Sequence, residues 1–282
     1  MQDIAKRLDN LPEPPKRDGQ DDIDASKAPL MDHLVELRQR LIYAMIGVGA
    51  GFVVCFYFAD VLFATLVEPY RWAAKWALGK DSVKMIFTAP QEYFFTQLKL
   101  ALFGATCLTF PNIALQLYKF VAPGLYKNEK DAFRPYLIAT PILFIAGALI
   151  VYFVVTPFMM YFFVKMQVTS GPIEISLEAR VSEYLSLVMT LILGFGICFQ
   201  LPVALSLLAR AGFVDGVQLR SLRRYAVLAI GVAAAILSPP DPFSMLAMMA
   251  PTMLLYEASI LVVDRIVKAQ AAKRAAAAAA GE

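Results

Sequence analysis

The densest group of ionisable side chains beside an apolar run is "DHLVELRQRL", residues 32–41, which holds Asp32, Glu36, Arg38, Arg40 and the chain's only histidine, His33. A single histidine cannot form a paired-histidine metal site, and a Ser/His/Asp relay would have to be built around His33 at a helix start. The cysteines Cys55, Cys107 and Cys198 all lie inside apolar runs and form no Cys-x-x-Cys or Cys/His cluster, so they read as core- or lipid-facing thiols. "GFGICF" (194–199) contains Gly-x-Gly but follows no strand and opens no nucleotide fold. The residues therefore predict no catalytic centre, no metal and no cofactor, and an enzyme is not expected.

What remains is recognition. A second mixed cluster, "FVAPGLYKNEKDAFRP" (120–135), sets Glu129 among Lys127 and Lys130, again beside apolar runs. Two carboxylates at membrane mouths would suit a cationic peptide, because an arginine fork pairs bidentately with a carboxylate and partial desolvation strengthens the pair. Solvated caps that merely orient the spans would look the same. Gln200, just before Pro202, is polar inside an apolar run. It is either an interhelical hydrogen bond within the chain or a docking point for another membrane helix. Glu257 poses the same choice. Glu68-Pro69 and Glu92 fall in a segment of alternating polarity whose Trp72, Trp76 and Tyr93 suit an aromatic belt.

These residues need elements to hold them, and composition says which. Of the 282 residues 59% are hydrophobic and only 17% charged, with a mean hydropathy of +0.60. A soluble domain is nearer one-quarter charged, so the composition predicts an all-α integral membrane protein in contact with lipid. A net charge of +3 without a dense basic patch gives no reason to expect nucleic acid. Uncharged runs cover 41–59, 100–118 (interrupted by Pro111), 135–164, 184–209, 225–240 and 242–256, the last extended past Glu257 to about 263. A helix rises about 1.5 Å per residue against a core of roughly 30 Å, so these make six transmembrane helices. The last two are short. Ser238-Pro239-Pro240-Asp241-Pro242 between them removes three amide donors and disfavours helix on either side, so they read as a hairpin.

Lysine and arginine crowd 1–40, 119–134, 210–224 and 265–274 and are thinner in 71–84 and 165–180. The positive-inside bias then puts both termini in the cytoplasm. Residues 1–30, charged and proline-bearing, read as a disordered tail without the apolar region of a cleaved signal. The membrane unit is 31–265, and 266–282 is an alanine-rich, low-complexity cytoplasmic extension.

Four stretches carry a resemblance across about residues 31 to 265. "HLVELRQRL" resembles the start before the first span of TatC, the multispanning subunit of the twin-arginine protein translocase. "TAPQEYFFTQLKLAL" is similar to that family's entry into its second span, "QLYKFVAPGLYKNEK" to its first cytoplasmic loop and "LSPPDPFS" to its last outside turn. The resemblance implies a receptor in the bacterial inner membrane for twin-arginine signal peptides of folded precursors. It implies work with single-span partners of the TatA and TatB type, homo-oligomers within a receptor complex, and drive by the proton-motive force. By position Glu36 and Glu129 match the carboxylates for the arginine pair, and Arg38, Arg40, Phe120 and Lys127 match their neighbours. Pro69 and Asp241 match outside-face positions tied to partner binding and assembly. Arg38 and Lys127 would keep the empty carboxylates paired. Where many members have glutamate, this chain has Gln200, which can hydrogen-bond a partner but cannot titrate. A small-solute secondary transporter, with polar groups on several spans at midplane, and a plain membrane scaffold are the competing readings.

Overall fold

In a computed structural model the protein is described at residues 18–79, 81–125, 134–167, 176–238 and 242–280. Helix α1 (Asp18–Tyr57) turns at Phe58 into α2 (Ala59–Leu78), and α3 (Glu92–Leu125) follows after strand β1 (Met85–Ile86). Next come α4 (Arg134–Ile150), a π-helical turn (Val151–Val155) and α5 (Thr156–Lys165), then strand β2 (Ala179–Arg180). Helices α6 (Val181–Cys198), α7 (Leu201–Arg210), α8 (Gly216–Ser221), α9 (Arg223–Leu237) and α10 (Pro242–Ala280) complete the described chain. Among the described residues five helical segments are long and apolar enough to cross a membrane: His33–Tyr57, Glu92–Phe120, Pro135–Lys165, Val181–Arg210 and Ser244–Ala272. The sixth apolar run forms α9, only 15 residues long.

Several boundaries differ from the sequence expectation, each for a local reason. Helix α1 starts already at Asp18, inside the stretch whose composition suggests disorder. Polar composition argues against a packed core, not against a helix propagated from an apolar neighbour at one hydrogen bond per residue fixed. The last helix likewise runs past its apolar part to Ala280. Pro111 does not interrupt α3, which passes through it. Proline is tolerated in membrane helices where neighbouring groups satisfy the freed backbone.

Other prolines do reshape the helices. Pro157 lacks the N–H for a normal helical bond, and the turn just before it widens to π geometry, with Thr156 N bonding Val151 O. Ahead of Pro202 the α6–α7 segment breaks at Phe199 and Gln200. Pro69 lies within α2 and cannot bond Thr65 O, four residues earlier. Tyr152 of the π turn donates its hydroxyl to that carbonyl at 2.9 Å, and Tyr184 donates to Leu66 O at 2.8 Å. Tyrosines from two other elements thus pin the proline-bearing turn of α2. In a detergent melt, Tyr152→Phe should cost about 1 kcal/mol by orphaning the Thr65 carbonyl. In a Pro69→Ala background, where the alanine N–H restores the helical bond, the same change should cost little. Equal losses in both backgrounds would mean the hydroxyl acts elsewhere.

Helix α2 is amphipathic, burying Leu66, Pro69, Tyr70, Ala73 and Ala74 while Val61 and Trp76 stay exposed. It stops at Gly79, whose left-handed φ of 69° suits glycine and lets its N–H cap Lys75 O at 3.0 Å. Lys75 bonds Asp81 at 2.7 Å and holds that carboxyl below its ordinary range. Strands β1 and β2 pair in parallel, Met85 with Ala179 and Ile86 with Arg180, tying the α2–α3 and α5–α6 connections together.

Leu100, Val151, Leu185, Leu191 and Phe195 form a fully buried centre. Helix α1 packs along α3 because its facing residues are small: a Cβ on Gly47 would meet Asn112 at 2.4 Å and one on Gly51 would meet Thr109 at 2.9 Å. That seam fixes the register between the start of α1 and the end of α3.

Candidate functional site

At the end of the bundle where α1 begins and α3 ends, the small-residue seam sets His33 against Phe120, with Glu36 and Arg40 on the following turns of α1. Arg40 Nη2 donates to Glu36 Oε1 at 3.2 Å, each side chain 30% exposed. Arg40 Nε is buried and has no hydrogen-bond partner among the described residues. The His33 ring stacks on Phe120 with centroids 4.3 Å apart and planes 18° off parallel. Arg38 is exposed. Glu36 takes Arg40 as its partner, since residues four apart share a helix face. His33 thus covers one face of Phe120. Glu129 and Lys127 lie outside the described residues.

The second site is in the membrane. Gln200 sits at the α6–α7 break, where its backbone N–H bonds Ile197 O at 2.9 Å instead of the carbonyl of Gly196. Its side chain replaces that bond: Nε2 donates to Gly196 O at 3.3 Å and to Thr140 O of α4 at 3.1 Å. Thr140 Oγ1 in turn shares a 2.6 Å hydrogen bond with Tyr118 of α3. Gln200 Oε1 is buried and has no hydrogen-bond partner among the described residues. Beside it lies a cavity of about 250 Å³ with almost wholly apolar walls, among them Phe110, Ile113, Leu117 and Leu207. Of the two readings open for Gln200, the amide does bond its own chain, yet it keeps an acceptor in reserve.

At the opposite end of the bundle Pro69 is fully buried, so its side chain shapes α2 rather than presenting itself. Glu68 pairs with Arg71 at 3.1 Å beside it. Asp241 lies outside the described residues. Glu92, expected in an interfacial segment, opens α3 and ties three elements: it accepts from Thr88 N at 2.8 Å and from Ser182 Oγ of α6 at 2.5 Å. Glu257, open between snorkelling and pairing, bonds Arg223 at 2.6 Å across α9 and α10, and Arg220 pairs with Asp264. Sequence spacing could not have found the partners Ser182, Arg223 and Asp264, which lie 34 to 90 residues from the groups they bond.

Comparison with known proteins bears on all of this. The family model described as Sec-independent protein translocase protein (TatC) matches residues 32–251. A protein of that name from Magnetococcus marinus is 42% identical over 250 residues, covering 89% of this chain and 89% of its own. The one from Rickettsia prowazekii is 40% identical over 236 residues, 83% of this chain and 92% of its own. A crystal structure of a twin-arginine translocase receptor, TatC, superposes with a TM-score of 0.71 at 34% identity, covering 83% of this chain and 99% of that one. A second crystal structure of such a receptor gives 0.72 at 35% identity. With sequence, family model and fold in agreement over four-fifths of its length, the chain belongs to the TatC family of Sec-independent protein translocase proteins.

Proposed function

We propose that this protein is the receptor and core subunit of a twin-arginine translocase, and that the start of α1 and the end of α3 form its cytoplasmic recognition site. One observation carries the reading. Glu36 is partly exposed at a membrane mouth, held among the described residues by an i,i+4 pair with Arg40, one turn along α1 from the His33 that stacks on Phe120. Such a pair contributes about 0.3–0.5 kcal/mol, so a bidentate guanidinium can displace it at little cost. Glu129, carried over by position, supplies the second carboxylate, with Arg38, Arg40 and Lys127 around the two.

The Gln200 cavity receives a single-span partner of the TatA or TatB type, and Pro69 and Asp241 serve assembly at the outer face. Assembly into homo-oligomers and drive by the proton-motive force complete the proposal. The site is cytoplasmic, with both termini on that side and the chain in a bacterial inner membrane; the basic residues gathered at that end of the bundle support this orientation. A photo-crosslinking residue in place of His33, in inverted membrane vesicles whose cytoplasmic face is outward, should trap an added twin-arginine signal peptide. A peptide with twin lysines should be trapped weakly. Equal trapping of both would sink the site, and trapping only from right-side-out vesicles would sink the orientation.

A further inference from the structure

We infer that Arg40 is a built-in competitor for Glu36, and that Gln116 of α3 is the positioning residue that takes Arg40 over when a peptide guanidinium claims the carboxylate. The inference rests on the reading that Glu36 receives an arginine, and it adds where the displaced side chain goes. The register sets the two side chains together. On α1, His33, Arg40 and Gly47 recur every seven residues, two turns apart, and share one face; on α3, Asn112, Gln116 and Phe120 recur every four. The outer pairs meet across the seam: His33 stacks on Phe120, and a Cβ on Gly47 would meet Asn112 at 2.4 Å. The middle pair, Arg40 and Gln116, is therefore enclosed between these two contacts.

Each member of that pair carries an unmet polar atom, and the two are of opposite kind. Arg40 gives Glu36 a single N–H, from Nη2, while its Nε–H is buried without a partner among the described residues. Gln116 donates Nε2 to Asn112 Oδ1 at 3.3 Å, and Asn112 donates Nδ2 to Tyr43 O at 3.5 Å. The Tyr43 carbonyl can only accept, so it fixes the direction of both amides and leaves Gln116 with its oxygen free rather than its NH2. That oxygen, too, is buried without a partner among the described residues. A buried donor and a buried acceptor left unmet are each costly, and one bond between them relieves both. Without peptide Arg40 stays on Glu36, because a carboxylate holds a guanidinium more strongly than a neutral amide does. An incoming guanidinium takes the carboxylate by two N–H bonds, and Arg40 turns to Gln116 instead of being left an unpaired cation. An ammonium makes one contact and displaces a seated guanidinium poorly, so Arg40 sharpens the choice of arginine over lysine.

The test follows peptide affinity and the Arg40 side chain separately, with the full chain in detergent. Gln116→Met, similar in length, should weaken binding of a twin-arginine signal peptide about three- to tenfold, the effect of one net hydrogen bond. In an Arg40→Met background the same change should do nothing, because no side chain is left to hand over. Arg40→Met alone should narrow the preference for twin arginines over twin lysines. With arginine labelled at 15Nε, the Arg40 N–H signal, identified by its loss in Arg40→Lys, should move downfield when the peptide is added. In Gln116→Met saturated with the same peptide that downfield move should be missing. Full affinity in Gln116→Met would overturn the inference, as would an equal loss in the Arg40→Met background or an unchanged arginine preference in Arg40→Met. An Arg40 signal in the unaltered chain that ignores the peptide would overturn it without recourse to any Gln116 variant. Glu36→Ala separates the two layers. If it loses affinity while Gln116→Met does not, the recognition site stands and the handover falls; if it binds normally, both fall.

Discussion

A signal peptide whose two arginines are replaced by lysines should bind the purified protein at least tenfold more weakly than the twin-arginine original. Each guanidinium can offer a carboxylate two parallel N–H bonds, whereas an ammonium makes a point contact. One lost charge-assisted hydrogen bond costs about 1–3 kcal/mol, and 1.4 kcal/mol is a factor of ten. Glu36→Ala and Glu129→Ala should each weaken binding of the arginine peptide and narrow its advantage over the lysine peptide, and the double variant should abolish it. Charge reversal, Glu129→Lys, should hurt more than Glu129→Gln, because it adds repulsion to the lost pairing. A melting curve guards against misfolding: Glu36 makes only a half-exposed pair with Arg40, so Glu36→Ala should melt close to the unaltered chain. Binding should also weaken as salt rises, since the patch is partly open to solvent. A double variant that still binds the arginine peptide at full affinity would reduce "DHLVELRQRL" to a membrane cap.

The sequence was most informative where a pattern repeats along one segment. Uncharged runs located the membrane helices, because transfer of charge into hydrocarbon is costly and spans of some twenty residues leave a long record. It was least informative where an outcome depends on the partner across the bundle. Pro111, Pro157 and Pro202 look alike in a string, yet one is absorbed within α3, one follows a π turn and one follows a helix break. Glu36 took Arg40 because a helix sets residues four apart on one face. His33, which had no role in the string, lies flat on Phe120 across the α1–α3 seam. Gln200 was legible as a polar residue in an apolar run, but not the direction of its amide, which two carbonyls from separate helices decide. Composition alone could not separate a receptor from a small-solute transporter; the ordered family motifs did.

Transport of a folded reporter should fall severalfold when four leucines are inserted in α9 between Ala233 and Ala234, while signal-peptide binding stays unchanged. Helix α9 has 15 residues, which at 1.5 Å each gives about 22 Å against a hydrocarbon core of roughly 30 Å. It is not shielded by protein, since Leu228, Val232 and Ile236 are exposed and only Ile230 and Ala234 are buried. Nor can it slide freely to meet the membrane: Arg223 at its start is bonded to Glu257 of α10. The bilayer must then give way and thin beside α9, at a fraction of a kcal/mol per ångström. A thinned bilayer lowers the barrier to a folded passenger at that edge. Four residues add about 6 Å and leave a rotation of only about 40°, so most of the buried face of α9 is kept. Glu36 and Phe120 lie on α1 and α3, away from the change, which is why binding is spared. Four leucines placed after Ala277, beyond the span Ser244–Ala272, control for added hydrophobicity and should leave transport intact. Undiminished transport with the lengthened α9 would show that its shortness is incidental, and the membrane would have to open somewhere else.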